Sequence, residues 1–247
     1  LSYTGNPIDV IKKLHSEKKW DEIISFCQKI LKEDSKDLVG LQNMATALLH
    51  VERFDDALMC CQQVLDMNEF DEYALKNKIF AFEKLRKYDD IIICAEKLLS
   101  KNQNDSWALD SKGLALNEIG RHKDALDCYD KSLQIDSNNI TALMNKAITL
   151  SFLQKYEDAI PLYDRAQKLE GPIKAAAAAK SEAYQKLGKE DEAFLAAQGL
   201  LIEDIHRYIA EAMKKKMKIF DFYCLKEYNE LEAREKMHNE KQDSKLK

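Results

Sequence analysis

The chain has 247 residues with a net charge of −5, is 45% hydrophobic and 33% charged, and contains only 7 Gly and 3 Pro. So little turn chemistry excludes an all-β or turn-rich fold, and the acidic balance offers no general attraction to nucleic acid or anionic membranes. No apolar run approaches the ~18 residues that cross a bilayer and no signal-peptide pattern opens the chain, so it is expected to be soluble and cytoplasmic, with its six cysteines reduced inside helices.

One offset organises the chain. Near the N-terminus Leu14 precedes a polar break and Ile23 and Ile24 follow it. The same arrangement returns every 34 residues, as Leu48 with Ala57 and Leu58, Phe82 with Ile91 and Ile92, Leu116 with Ala125 and Leu126, Leu150 with Ala159 and Ile160, and Tyr184 with Ala193 and Phe194. A column from Leu41 runs through Leu75, Leu109 and Leu143 to Ala177, and one from Leu31 runs through Leu65, Leu99, Leu133 and Gln167 to Leu201. Apolar spacing of three and four predicts two amphipathic helices per repeat. Breaks such as Gly120 to Lys123 and Leu187 to Glu190 separate the helices of a pair, and Asn102 to Asp105, Asp136 to Asn139 and Gly171-Pro172 separate one pair from the next. Cys60, Cys94 and Cys128 stand one repeat apart. At roughly 10 Å between neighbouring repeats they cannot share a zinc ion, so they are expected to be small buried hydrophobes. Beyond about 203, Ile205, Ile209, Met213, Met217 and Phe220, then Phe222, Leu225, Tyr228 and Leu231, continue helical spacing as one or two capping helices, and residues 235–247 are polar and expected to fray.

Leu109, Gly113, His122, Ala125 and Tyr129, followed by Leu143, Ala147, Tyr156, Ala159, Tyr163 and Ala166, resemble the tetratricopeptide repeat family. The resemblance implies an all-α fold, a right-handed superhelical solenoid of antiparallel helix pairs. Its register gives six repeats over 4–207 (4–37, 38–71, 72–105, 106–139, 140–173 and 174–207), followed by capping helices over 208–234. Departures are Pro7 and Ile23 in the first repeat, Glu190 in the last, and the column Lys78, Lys112, Lys146 and Lys180 where the family often has Leu. These lysines are expected to run their stems along the core edge.

The resemblance also places a peptide-binding groove on the concave side, lined by the first helix of each repeat. In that register Asn43, Asn77 and Asn145 occupy one groove position. A row of amides can satisfy a peptide backbone, or can bond its own neighbours. Tyr73, Phe80, Trp107, Leu114, Met144, Ile148 and Phe152 crowd the middle of the groove, where a face that met only water would be polar, although Leu114 and Ile148 equally suit packing between helices. Lys76 and Asp110, with Glu83, are placed to frame that patch.

The family's charged clamp for acidic chaperone tails needs Lys and Asn, then Asn, then Lys and Arg on three repeats. Here Ile8 and Lys12, Asn43, and Tyr73 and Asn77 stand in their place, so no such binding is expected. His15, His50, His122, His206 and His238 form no metal or catalytic spacing, and no phosphate loop or nucleophile elbow occurs. The expected function is therefore a non-enzymatic scaffold with no cofactor, no metal, no nucleic acid and no membrane, binding a partly apolar peptide or helix. The alternatives are the docking segment of a larger enzyme such as a glycosyltransferase, or a homo-oligomer formed through the C-terminal helices.

Overall fold

A computed structural model describes residues 6–227 and Glu230. The chain divides into two compact units, Leu1–Ser137 and Asn138–Lys247. The first holds α1 (Pro7–Ser16), α2 (Trp20–Glu33), α3 (Leu38–His50), α4 (Phe54–Met67), α5 (Glu72–Lys84), α6 (Tyr88–Lys101), α7 (Ser106–Glu118) and α8 (His122–Ile135). The second holds α9 (Ile140–Phe152), α10 (Tyr156–Glu170), α11 (Lys174–Lys186), α12 (Glu190–Ala197) and α13 (Ile202–Lys214), followed by helical residues 219–227. The fold is all-α, with no strand among the described residues.

The helix ends repeat as faithfully as the apolar columns. Asp37, Asp71, Asp105 and Asn139 cap α3, α5, α7 and α9, each side-chain oxygen accepting from the backbone N–H three residues on, at 2.6, 2.8, 3.0 and 3.2 Å. The turn inside each pair places Lys18, Glu52, Arg86, Gly120, Gln154 and Gly188, again 34 residues apart, in the left-handed region. Only the two glycines adopt it without steric cost.

Each helix packs on the next within its unit, and first helices also touch, α3 against α5 and α9 against α11. In the first unit Ile23, Leu48, Ala57, Leu75, Ile91 and Ala108 belong to one core. In the second, Ile160, Tyr184, Ala193, Leu195, Ile205 and Phe222 form another. Size is traded between facing positions. A Cβ on Gly113 would lie 2.6 Å from Cε1 of the fully buried Tyr129 ring, whereas the equivalent positions one repeat earlier are Ile79 and Ala95.

The lysine column does more than lie along the core edge. Lys78 Nζ donates to Gln62 at 2.9 Å, Lys112 to Glu96 at 2.8 Å and Lys180 to Asp164 at 3.0 Å, always sixteen residues back. The three bonds join a first helix to the second helix before it. Lys180 goes furthest, being 0% exposed and donating also to the Leu200 carbonyl at 2.7 Å, while Asp164 accepts from the Ile202 N–H at 2.8 Å. Burial pulls the Lys180 ammonium below its ordinary pKa, with Asp164 opposing that shift.

The sixth pair departs from the others. Its second helix, α12, has 8 residues where α10 has 15, because Gly199 turns left-handed and the chain leaves the helix. α13 then starts at Ile202, so the boundary expected at 207 falls inside a helix and the cap begins earlier than 208. In the cap, Tyr208 meets Phe222 and Phe194 meets Tyr223 edge to face, at 5.9 and 5.5 Å. Tyr228, Leu231 and the tail 235–247 lie outside the described residues.

Candidate peptide-binding face

The residues expected to line a groove fall in both units. In the first unit Tyr73, Phe80 and Trp107 are exposed at 43%, 42% and 41% on α5 and α7, and Leu114 is half-buried. Lys76 lies over the Trp107 ring at 5.2 Å, pairs with Glu72 and stands 4.0 Å from Asp105, which ties α5 to the start of α7. Lys84 covers the Phe80 ring at 5.3 Å. Asp110 does not frame this patch as expected, because it faces inward and is buried.

The asparagines divide between the two readings. Asn43 Nδ2 donates to the Val39 carbonyl at 2.7 Å, and its Oδ1 lies 3.2 Å from His15 Nε2, so the amide serves its own helix and its neighbour. Asn77 Nδ2 donates to Thr46 Oγ1 at 3.3 Å, and the Thr46 hydroxyl meets the Tyr73 hydroxyl at 2.6 Å. Asn145 is half-buried on α9, and its backbone carbonyl accepts from Thr149 Oγ1.

In the second unit the expected residues border a real hollow. Ile148, Ser151 and Phe152 of α9, Tyr156 and Tyr163 of α10, and Ala179, Glu182 and Ala183 of α11 line a cleft of about 280 Å³. Phe152 is 67% exposed and Ile148 37%, while Met144 is half-buried nearby on the same helix. Tyr163 is a buried wall, its hydroxyl 3.4 Å from Ser151 Oγ. Burial pushes the Tyr163 phenol up, the Ser151 bond pulls it down, and the negative charge of Glu182 adds to the rise. Tyr156 and Glu182 were missed in the sequence. Tyr156 opens α10, the place of an aromatic residue that starts a second helix, and Glu182 occupies the same groove position as Phe80, Leu114 and Ile148.

Other candidates lead elsewhere. Trp20 stacks on His50 at 3.9 Å and meets His15 edge to face at 5.3 Å, so an indole fills the space beside both imidazoles. Burial, then the charges of His15 and Lys18, lower the His50 pKa. Cys27, Cys60, Cys61, Cys94 and Cys128 are buried, and Cys224 is exposed. Among the described residues no group of three His, Cys, Asp or Glu side chains could hold a metal ion, and no helix is long and apolar enough to cross a membrane. Gln167, the polar member of a leucine column, is buried with neither its Nε2 nor its Oε1 hydrogen-bonded to another protein group.

Residues 108–139, which hold most of α7 and all of α8, match the tetratricopeptide repeat family model. Residues 108–139 therefore carry one tetratricopeptide repeat, and the chain as a whole has the tetratricopeptide fold. Solved tetratricopeptide structures share the fold. A protein from Parabacteroides merdae ATCC 43184 is 15% identical, with 77% of this chain and 75% of that one covered at a TM-score of 0.68. MamA from Desulfovibrio magneticus RS-1 is also 15% identical, with 66% and 93% covered at 0.62. YrrB, a tetratricopeptide protein with an unusual peptide-binding site, is 16% identical, with 77% and 97% covered at 0.57. No curated protein matches the sequence. The exposed aromatic residues lie on α5, α7 and α9, the first helices of the third, fourth and fifth helix pairs.

Proposed function

We propose that the chain is a protein-interaction scaffold that binds a partly apolar peptide or helix along its first helices. The exposure of Tyr73, Phe80, Trp107, Ile148 and Phe152 carries this reading. In each unit, large apolar side chains exposed on first helices are seldom without a partner, and aromatic residues dominate binding hot spots. The 280 Å³ cleft beside Phe152 gives the second unit a ready-made pocket for one anchoring side chain. YrrB, which has the same fold, has a peptide-binding site. The engagement of Asn43 and Asn77 within the fold leaves apolar contact as the main source of affinity.

The test is binding of fluorescent degenerate nonapeptide pools to the full chain, with Trp107→Ala and Phe152→Ala as variants. Loss of a hot-spot aromatic is expected to weaken binding at least ~tenfold. Binding unchanged by both substitutions refutes the reading.

A second reading, self-association through the C-terminal cap, has its own observation. Met213, Phe220 and Leu225 are exposed there at 73%, 58% and 44%. Sedimentation as a monomer at high concentration would exclude it.

A further inference from the structure

The cleft between α9 and α11 has a chemistry more specific than apolar contact. We propose that it is a receptor for one basic side chain of the bound segment, arginine above all. This rests on the peptide-binding reading and names what that peptide must carry.

Three observations converge. Phe152 and Tyr156 place aromatic rings, and Ile148 an aliphatic side chain, in the lining of the cleft, the surroundings in which a cation gains from ring quadrupoles while its stem is desolvated. At about 280 Å³ it admits one long side chain and is smaller than sites for drug-sized ligands. Its acidic group is Glu182, which is exposed and takes part in none of the ion pairs found among the described residues. Glu182 lines the cleft together with the buried Tyr163.

The repeat pattern isolates the same residue. Its groove position reads Thr46, Phe80, Leu114 and Ile148 in successive repeats before becoming Glu182. Beside it, Ala179 and Ala183 leave space along α11. Lys186, one turn further along α11, lines a different cleft with Gln167 and Gln198, so no lysine lines the one described here. A planar guanidinium fits both halves, stacking on a ring while its fork meets the carboxylate. An ammonium satisfies the carboxylate but stacks less well.

The experiment uses the full chain and four fluorescein-labelled degenerate nonapeptide pools with the central residue fixed as Arg, Lys, Glu or Leu, read by anisotropy. The Arg pool is expected to bind best, the Lys pool next, and the Glu pool worst. Glu182→Gln should remove about fivefold of the Arg advantage, the scale of a partly exposed ion pair, and leave the Leu pool unchanged. Glu182→Lys should favour the Glu pool. An Arg pool no better than Leu, or an advantage that survives Glu182→Gln, overturns the inference while leaving peptide binding intact. Failure of every pool to bind overturns the underlying function as well.

Discussion

Gly113→Ala adds one methyl group at a place where the fold has none to spare. The new Cβ would stand 2.6, 2.9 and 3.0 Å from three carbons of the Tyr129 ring, the shortest about 0.8 Å inside the 3.4 Å at which ordinary contact begins. That ring is 0% exposed and its helix packs directly against α7, so it cannot swing into solvent. Overpacking a core costs about 1–3 kcal/mol. A contact of 2.6 Å places the cost in the upper part of that range, about 2–3 kcal/mol, and alanine returns up to ~1 kcal/mol through its higher helix propensity, which leaves a net loss of at least roughly 1–2 kcal/mol. Urea unfolding followed by circular dichroism should show the lower midpoint. The pairing found one repeat earlier supplies a control, since Ile79 and Ala95 are both buried. Tyr129→Ala alone should cost about 3–5 kcal/mol, and adding Gly113→Ile should recover at least ~1 kcal/mol of it by refilling the cavity. A Gly113→Ala variant as stable as the parent would refute the reasoning.

Four further perturbations test the fold. Arg86→Gly should stabilise the chain by about 0.5–1 kcal/mol, because Arg86 occupies the left-handed position that Gly120 and Gly188 fill freely, and a raised urea midpoint would show it. Gln167→Leu should stabilise by about 1 kcal/mol, since it replaces a buried amide that no protein group hydrogen-bonds with the residue standing at this position in the other repeats, and thermal melting reads the gain. Burial pushes the Cys27 and Cys61 thiols up to about 12 from an ordinary 9.0. The fold therefore favours their protonated forms, and this contribution is complete below pH 9 and is lost as pH rises towards 12. The urea midpoint should fall over that range, and fall less in Cys27→Ala/Cys61→Ala. With a thiol reagent at pH 8, Cys224 should react at once and the five buried cysteines only on unfolding.

The repeat was legible because one offset governs many positions, and positions that pack alike must resemble one another. Ala57, Ile91, Ala125, Ala159 and Ala193 are all buried, as one column predicts. What escaped the sequence were contacts between columns. Nothing in Lys180 alone reveals that Asp164, sixteen residues back, and the Leu200 carbonyl enclose its ammonium. The inward turn of Asp110 and the bonds of Asn43 and Asn77 depend on neighbouring helices, so their groove positions described where they sit and not where their atoms are spent. Ile148 and Phe152 did line a cleft, but its acidic member lay in the sixth repeat, where the aromatic pattern had ended.

The enclosure of Lys180 also decides where such an array can be shortened. A chain cut after Gly199 would keep the ammonium and Asp164 but lose the Leu200 carbonyl and the Ile202 N–H that complete their shell. The lost partners would leave part of a buried charge uncompensated. Residues 200–202 therefore belong to the fifth and sixth repeats as much as to the cap, and any graft, fusion or minimal fragment of this scaffold should carry its C-terminal junction beyond α13.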